Sequence, residues 1–276
     1  MITKLLAPID FSDQAKYAFE VACQLAKQHE AELHLIHLVE LPYSIFDSRK
    51  NPNLPEALYF LKLAQQNFKD FKEEFQSITN GIKVVESVKF ESVHEGVHNY
   101  IEEHDIDAVV MGSHGSNGLE ELFIGSNTEK VVRNVDVPVF VIKKQHHNFK
   151  VNRFVFATDL ETDNKNAILQ AITYAKLFNA QLNFVYINTP ENFRTTPEIE
   201  ELLEKLNKHL GHSLNNLATY NDINVERGIL NYAKKESADL IGIGTHGRKG
   251  LAHFLNGSLS EDLVNHAKRP VLTFRI

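Results

Sequence analysis

A single cysteine, Cys23, in 276 residues leaves no intramolecular disulfide and no multi-cysteine zinc site to build. Long apolar runs are missing too: none approaches the roughly 18 residues that a membrane helix needs. The opening stretch, MITKLLAPIDFSD, reaches Pro8 and Asp10 before the core of a signal peptide could form, so a cytoplasmic protein without a membrane partner is expected. Positive charge is scarce. With 29 Lys and Arg against 36 Asp and Glu, a net charge of −7, the chain lacks the basic face that binds a DNA or RNA backbone, which excludes extended nucleic acid as an expected partner. No Walker lysine, no serine with a neighbouring base and no carboxylate pair can be placed from the sequence, so nothing in it argues for rapid catalysis.

What is present is an ordinary globular composition, 43% hydrophobic and 24% charged, over a length that suits two domains of about 150 residues. The chain repeats itself. Leu5-Leu6-Ala7-Pro8-Ile9-Asp10 corresponds to the apolar run Val155 to Thr158 with Asp159, an offset of 149 that also carries the strand-like Ala31 to His37 onto Ala180 to Tyr186. Further on the offset is 132: Gly96 falls on Gly228, Gly112 on Gly244, and Val137-Pro138-Val139 on Arg269-Pro270-Val271. The second copy is thus 17 residues shorter, and the deficit corresponds to a long loop in the first copy, Leu41 to Pro55. The polar segment Lys143 to Asn148 reads as a linker between domains spanning 1–144 and 150–276.

Each copy alternates short apolar runs with helical periodicity. Ala15, Ala18, Phe19, Ala22, Leu25 and Ala26 fall at helical spacing after Ser12, a candidate N-cap; Ile168, Ala171, Ile172 and Ala175 are their counterparts, with Thr162 as the cap candidate. Then come a second strand, a long polar helix (about 56–75; 197–217), a weak third strand (83–88; 223–225), another helix, the apolar runs 107–111 and 239–243, a glycine loop, a helix and the final apolar runs 137–142 and 270–276. Five strands alternating with helices in each copy predict an α/β fold: two tandem five-stranded parallel open sheets with helices on both faces.

The most telling residues follow the fourth strand. Gly112-Ser113-His114-Gly115 is followed after nine residues by Gly125-Ser126, and Gly244-Thr245-His246-Gly247 after nine residues by Gly257-Ser258. Two glycines at a strand end let backbone approach a ligand, and a third before serine opens a helix whose free N–H groups favour an anion. Ligands of open parallel sheets bind beyond the carboxyl ends of the strands, where Asp10 and Asp159 also end strand one.

These residues resemble the universal stress protein family in its tandem form: both copies carry the family's nucleotide motif, G-x2-G-x9-G-[ST], in full, and the likeness spans essentially the whole chain. The resemblance implies a Rossmann-like, adenine-nucleotide α-hydrolase-like fold with strand order 3-2-1-4-5, and ATP as ligand, with Mg²⁺ reaching the site through the phosphates. Its implied contacts are Asp10, Gly112, Gly115, Gly125 and Ser126 in the first domain and Asp159, Gly244, Gly247, Gly257 and Ser258 in the second, with Val39 and Ile187 flanking the adenine. It also implies a stress-response or regulatory role, with at most slow ATP hydrolysis; some members lack the motif and bind no ATP. Two other readings stand beside this one: a nucleotide hydrolase or nucleotidyl transferase, which needs a general base, and an interaction scaffold or small-molecule carrier.

Two formal motifs are set aside. Gly242-Ile243-Gly244-Thr245-His246-Gly247 spells a dinucleotide fingerprint but follows the fourth strand of its domain, where a fingerprint follows the first. His94-Glu95-Gly96-Val97-His98 spells a zinc-protease signature without a third ligand, and its counterpart lacks both histidines. Cys23 falls on the apolar helix face, as a small core residue does. The last strands are apolar on both faces, so the halves are expected to pair through them as an internal pseudo-dimer, with a homodimer of the tandem chain as the assembly beyond it. Arg248 and Lys249 follow the second glycine loop where the first copy has Ser116, Asn117 and then Glu120 and Glu121, which predicts tighter triphosphate binding in the second half.

Overall fold

Both copies contribute to one ten-stranded sheet, and alternation along its strands sets the two faces. The computed structural model describes residues 1–40, 54–113, 126–245 and 267–276. In the first half the chain runs β1 (Lys4–Pro8), α1 (Asp13–His29), β2 (Glu32–Leu38), α2 (Leu54–Thr79), β3 (Val84–Lys89), α3 (Val93–His104), β4 (Ala108–Gly112), α4 (Ser126–Asn134) and β5 (Val139–Ile142). In the second it runs β6 (Arg153–Ala157), a 3₁₀ turn (Thr162–Asn164), α5 (Lys165–Phe178), β7 (Gln181–Asn188), α6 (Thr196–Leu210), β8 (Leu217–Asn221), α7 (Val225–Lys235), β9 (Leu240–Thr245) and β10 (Val271–Arg275). Leu5 joins the core beneath α1, α2, α5 and α6, while its neighbour Leu6 joins the core beneath α3, α4 and α7.

The strand order is β3-β2-β1-β4-β5-β10-β9-β6-β7-β8, which is the expected 3-2-1-4-5 in each half. All pairings are parallel except the junction, where β5 meets β10 antiparallel with Leu272 opposite Phe140. Neither last strand is left as a bare edge of the chain. A second device recurs in both halves. Asp107 Oδ2 accepts hydrogen bonds from the backbone N–H groups of Thr3 and Lys4, and Asp239 Oδ2 accepts them from those of Asn152 and Arg153, fixing the start of each first strand beside the fourth.

One part of the sequence reading needs correction. The third strand of the second half is Leu217–Asn221, paired with β7, and not 223–225; the helix before it ends at Leu210 and not at 217. Gly211, in the left-handed region at φ 79°, terminates α6. Ile223 is 60% exposed in a turn that Asn224 closes by accepting a hydrogen bond from Arg227 N–H as the cap of α7. Cys23 is buried in the core, and burial pushes its thiol up to about 12, which makes it inert at ordinary pH. Among the described residues no helix is long and apolar enough to cross a membrane, and no group of three or more His, Cys, Asp or Glu residues could hold a metal ion. His94 and Glu95 lie within reach of Ser92 Oγ at the start of α3, as a solvated helix start would.

Candidate functional site

The carboxyl ends of the parallel strands carry the expected aspartates, and each sits in a sharp turn. After β1, Ile9 is still held to the sheet by its N–H on Ile36 O (2.8 Å). Asp10 follows, and Phe11 then takes the left-handed conformation (φ 64°) that swings the chain into α1. Asp10 Oδ1 accepts from Ser12 N–H (3.1 Å) and Ser12 Oγ (2.6 Å), while Ser12 Oγ accepts from Ala15 N–H as the expected cap. Phe11 is held by edge contacts with Phe68 and Phe71 of α2 and by the His37 ring. His37 Nδ1 lies 2.7 Å from the Ile9 carbonyl, which can only accept, so that nitrogen carries the proton.

Beside this turn opens a solvent-accessible cleft. Its polar rim is Asp10, Asn127 and Thr128; Ile36, Leu38 and Met111 give it an apolar wall, and Ala15 of α1 closes one side. Asn127 and Thr128 belong to the first turn of α4, so the N–H end of that helix faces the cleft. Thr128 Oγ1 donates to Gly112 O (2.9 Å) and ties this turn to the end of β4. Gly112 itself is required by the fold: a β-carbon there would stand 2.8 Å from the backbone carbon of Gln14 and 2.9 Å from its oxygen, because the start of α1 crosses directly over it.

The second half repeats the turn with a different filling. Leu160 (φ 66°) is the counterpart of Phe11. Asp159 Oδ1 accepts from Glu161 N–H (3.0 Å) and from the Asn164 side-chain amide. Asn164 is only 4% exposed, and its Oδ1 lies 2.6 Å from where a β-carbon on Gly244 would stand, so this one side chain bridges the strand-one aspartate and the fourth-strand glycine. Burial raises the carboxyl of Asp159 above its ordinary range and outweighs the hydrogen bonds from Glu161 and Asn164, which act the other way. Thr162 does not cap α5; it opens the 3₁₀ turn that delivers Asn164 to this position. Above, Asn188 exchanges hydrogen bonds with the backbone of Arg194 (2.9 and 3.1 Å) and folds the loop after β7 back on the strand end.

The universal stress protein family profile matches residues 1–143 and again residues 150–275. The chain belongs to the universal stress protein family. A universal stress protein of Methanocaldococcus jannaschii is 28% identical over 160 residues, covering 53% of this chain and 98% of the relative. One of Bacillus subtilis is 28% identical over 158 residues, covering 52% of this chain and all of the relative. The crystal structure of a universal stress protein from Archaeoglobus fulgidus superposes over 99% of this chain and 98% of its own with a TM-score of 0.72; at 19% identity it shows a shared fold.

In this universal stress protein the expected site residues divide into three groups. Asp10 and Gly112 meet at the first-half cleft, and Ser126 is the first residue of α4. Asp159 and Gly244 meet through Asn164, with Ile187 packed on Gly228. Gly115, Gly125, Gly247, Arg248, Gly257 and Ser258, with the rest of both glycine loops, lie outside the described residues. Val39 is a correction of register: it pairs its N–H with Lys89 O (3.0 Å), whereas Leu38, the true counterpart of Ile187 at the offset of 149, lines the cleft and packs on Gly96. Gly242 has a core role, since a β-carbon on it would meet the rings of Phe154 and Phe156 at 2.6 to 2.8 Å, which disposes of the dinucleotide fingerprint. The sequence reading missed Ala15 and Asn164, although the same offset aligns them and an asparagine opposite an alanine at a helix start was a visible signal.

Proposed function

We propose that this universal stress protein is an ATP-binding regulator of a stress response, acting in the cytoplasm, and that the ligand occupies the first-half cleft. The observation that carries this reading is the convergence of three unlike surfaces on one space: an acidic acceptor at Asp10, an apolar wall at Ile36 and Leu38, and the N–H end of α4. A carboxylate accepts from ribose hydroxyls or base amino groups, a flat apolar wall suits an adenine ring, and a helix N-terminus favours phosphate. Gly125 and Ser126 of the motif stand in sequence where the phosphates would meet α4, and Mg²⁺ would accompany those phosphates.

The residues that would hold ATP in the first half are Asp10, Leu38, Ser126 and the backbone that follows Gly112. The reading is tested by denaturing freshly purified protein and identifying released small molecules by mass spectrometry, followed by titration of the emptied protein with ATP. Release of ATP or ADP, and rebinding of ATP, are expected. A lipid or an unrelated metabolite would overturn the reading in favour of a carrier.

A further inference from the structure

The two halves share a fold and a motif, yet they treat the space beside the strand-one aspartate differently. In the first half that space is bounded by Asp10, Ala15 and Gly112 and opens to solvent. In the second half the position of Ala15 is taken by Asn164, whose amide donates to Asp159 and whose oxygen lies against Gly244. The side chain therefore fills the space beside the aspartate that stays open in the first half, where Asp10 Oδ1 takes its side-chain hydrogen bond from Ser12 Oγ instead.

We propose that Asn164 is a built-in occupant of the second-half site, so that each chain holds a single adenine nucleotide, in the first half. The inference rests on the nucleotide reading of the first-half cleft. Three features hold the occupant in place. Asn164 is nearly fully buried, and its oxygen stands against Gly244. Swinging it away would leave the buried Asp159 carboxyl without the donor that Asn164 supplies, and a buried polar group deprived of its partner is strongly disfavoured. The loop after β7 is fastened over the end of that neighbouring strand by the paired hydrogen bonds of Asn188 and Arg194, and Arg194 Nη2 lies 4.0 Å from Glu161 in the turn after Asp159. This assigns tighter binding to the first half, the reverse of what Arg248 and Lys249 suggest by charge alone.

The test is equilibrium dialysis of the full chain with radiolabelled ATP, together with a variant, Ala15→Asn, that copies the second-half arrangement into the first. The expected results are a stoichiometry near one for the natural chain and at least about tenfold weaker binding for Ala15→Asn, as expected when a hydrogen-bonding group fills a polar site. Photolabelling with 8-azido-ATP gives a readout that needs no variant: labelled peptides are expected only within residues 1–144. Two equivalents of ATP per chain, or label in peptides from 150–276, would overturn the inference and leave the nucleotide reading standing. No ATP binding by the natural chain would overturn the nucleotide reading itself, and the inference with it.

Discussion

Leu38 packs its side chain against the bare α-carbon of Gly96, closer than any β-carbon on that residue would allow, and Ile187 does the same to Gly228. The end of the second strand thus determines a glycine in the first turn of a helix in both halves. The same contact sets the position of an apolar wall of the cleft, since Leu38 lines it.

The two glycines should respond differently to alanine. Replacing a helical glycine gains at most about 0.5–1 kcal/mol of helix preference, the value for a helix interior. At Gly96 the obstructing atoms are the methyl ends of Leu38, which can turn toward the cleft, so Gly96→Ala should stay within about 1 kcal/mol of the natural stability while weakening ATP binding. At Gly228 the obstruction is Ile187 Cγ2, fixed directly to a branched β-carbon with few rotamers. Gly228→Ala should lose about 1–3 kcal/mol, typical of overpacking. Urea unfolding of both variants, with calorimetry on Gly96→Ala, checks the pair.

Gly112→Ala should destabilise the first half more than either, because the added carbon meets the backbone of Gln14 and no side chain can yield. A loss of about 2 kcal/mol or more is expected from comparable steric insertions, measured by thermal unfolding with and without ATP. Lost binding in this variant therefore reports the seating of α1 as much as any phosphate contact.

Protonation should act in opposite directions at two aspartates. Asp159 has a raised carboxyl through burial, so its contribution to stability is full below the ordinary aspartate range and is lost as pH rises through the raised value. Asp159→Asn should therefore gain stability relative to the natural chain as pH increases from acid to neutral, the amide oxygen still accepting from Glu161. Burial also acts to raise Asp107, but its hydrogen bonds from Thr3 and Lys4 prevail and lower it. Its contribution is present above the ordinary range and lost as pH falls, so Asp107→Asn should cost stability at neutral pH and little in acid. Urea midpoints for both variants across pH 3–7 distinguish these slopes.

Cutting the chain should expose the central junction. Residues 1–144 alone would leave β5 unpaired on the side where Phe140 faces Leu272, and residues 150–276 would leave β10 so. Such apolar strands recruit partners. Size-exclusion chromatography should find dimers or aggregates, and soluble monomers of full stability would contradict the pairing.

Much of the fold was legible because repetition and two-sided apolar strands are both sequence properties. The offsets of 149 and 132 aligned the halves, and Val109, Val110 and Met111 could only belong to a strand covered on both faces. The edge strand Leu217–Asn221 was not legible: half-exposed and lacking alternation, it was overshadowed by the nearby apolar pair Ile223 and Val225. The places of Asp10, Asp159, Gly112 and Gly244 at the carboxyl ends of the strands could be read from type and position. The left-handed turns at Phe11 and Leu160 could not, because nothing in a phenylalanine or leucine advertises positive φ. Gly112 was read as a ligand contact, and its packing against Gln14 emerged only from the crossing of two elements distant in sequence.

The most direct measurement is calorimetric titration of the natural chain and of Asp10→Asn with ATP. The asparagine oxygen can still accept from Ser12 and preserve the turn while the charge is removed. Binding weaker by about tenfold or more, the scale of a hydrogen bond to a charged group, with unchanged circular dichroism, is the predicted result. Equal affinities for the two proteins would contradict the assignment of the first-half cleft as the nucleotide site.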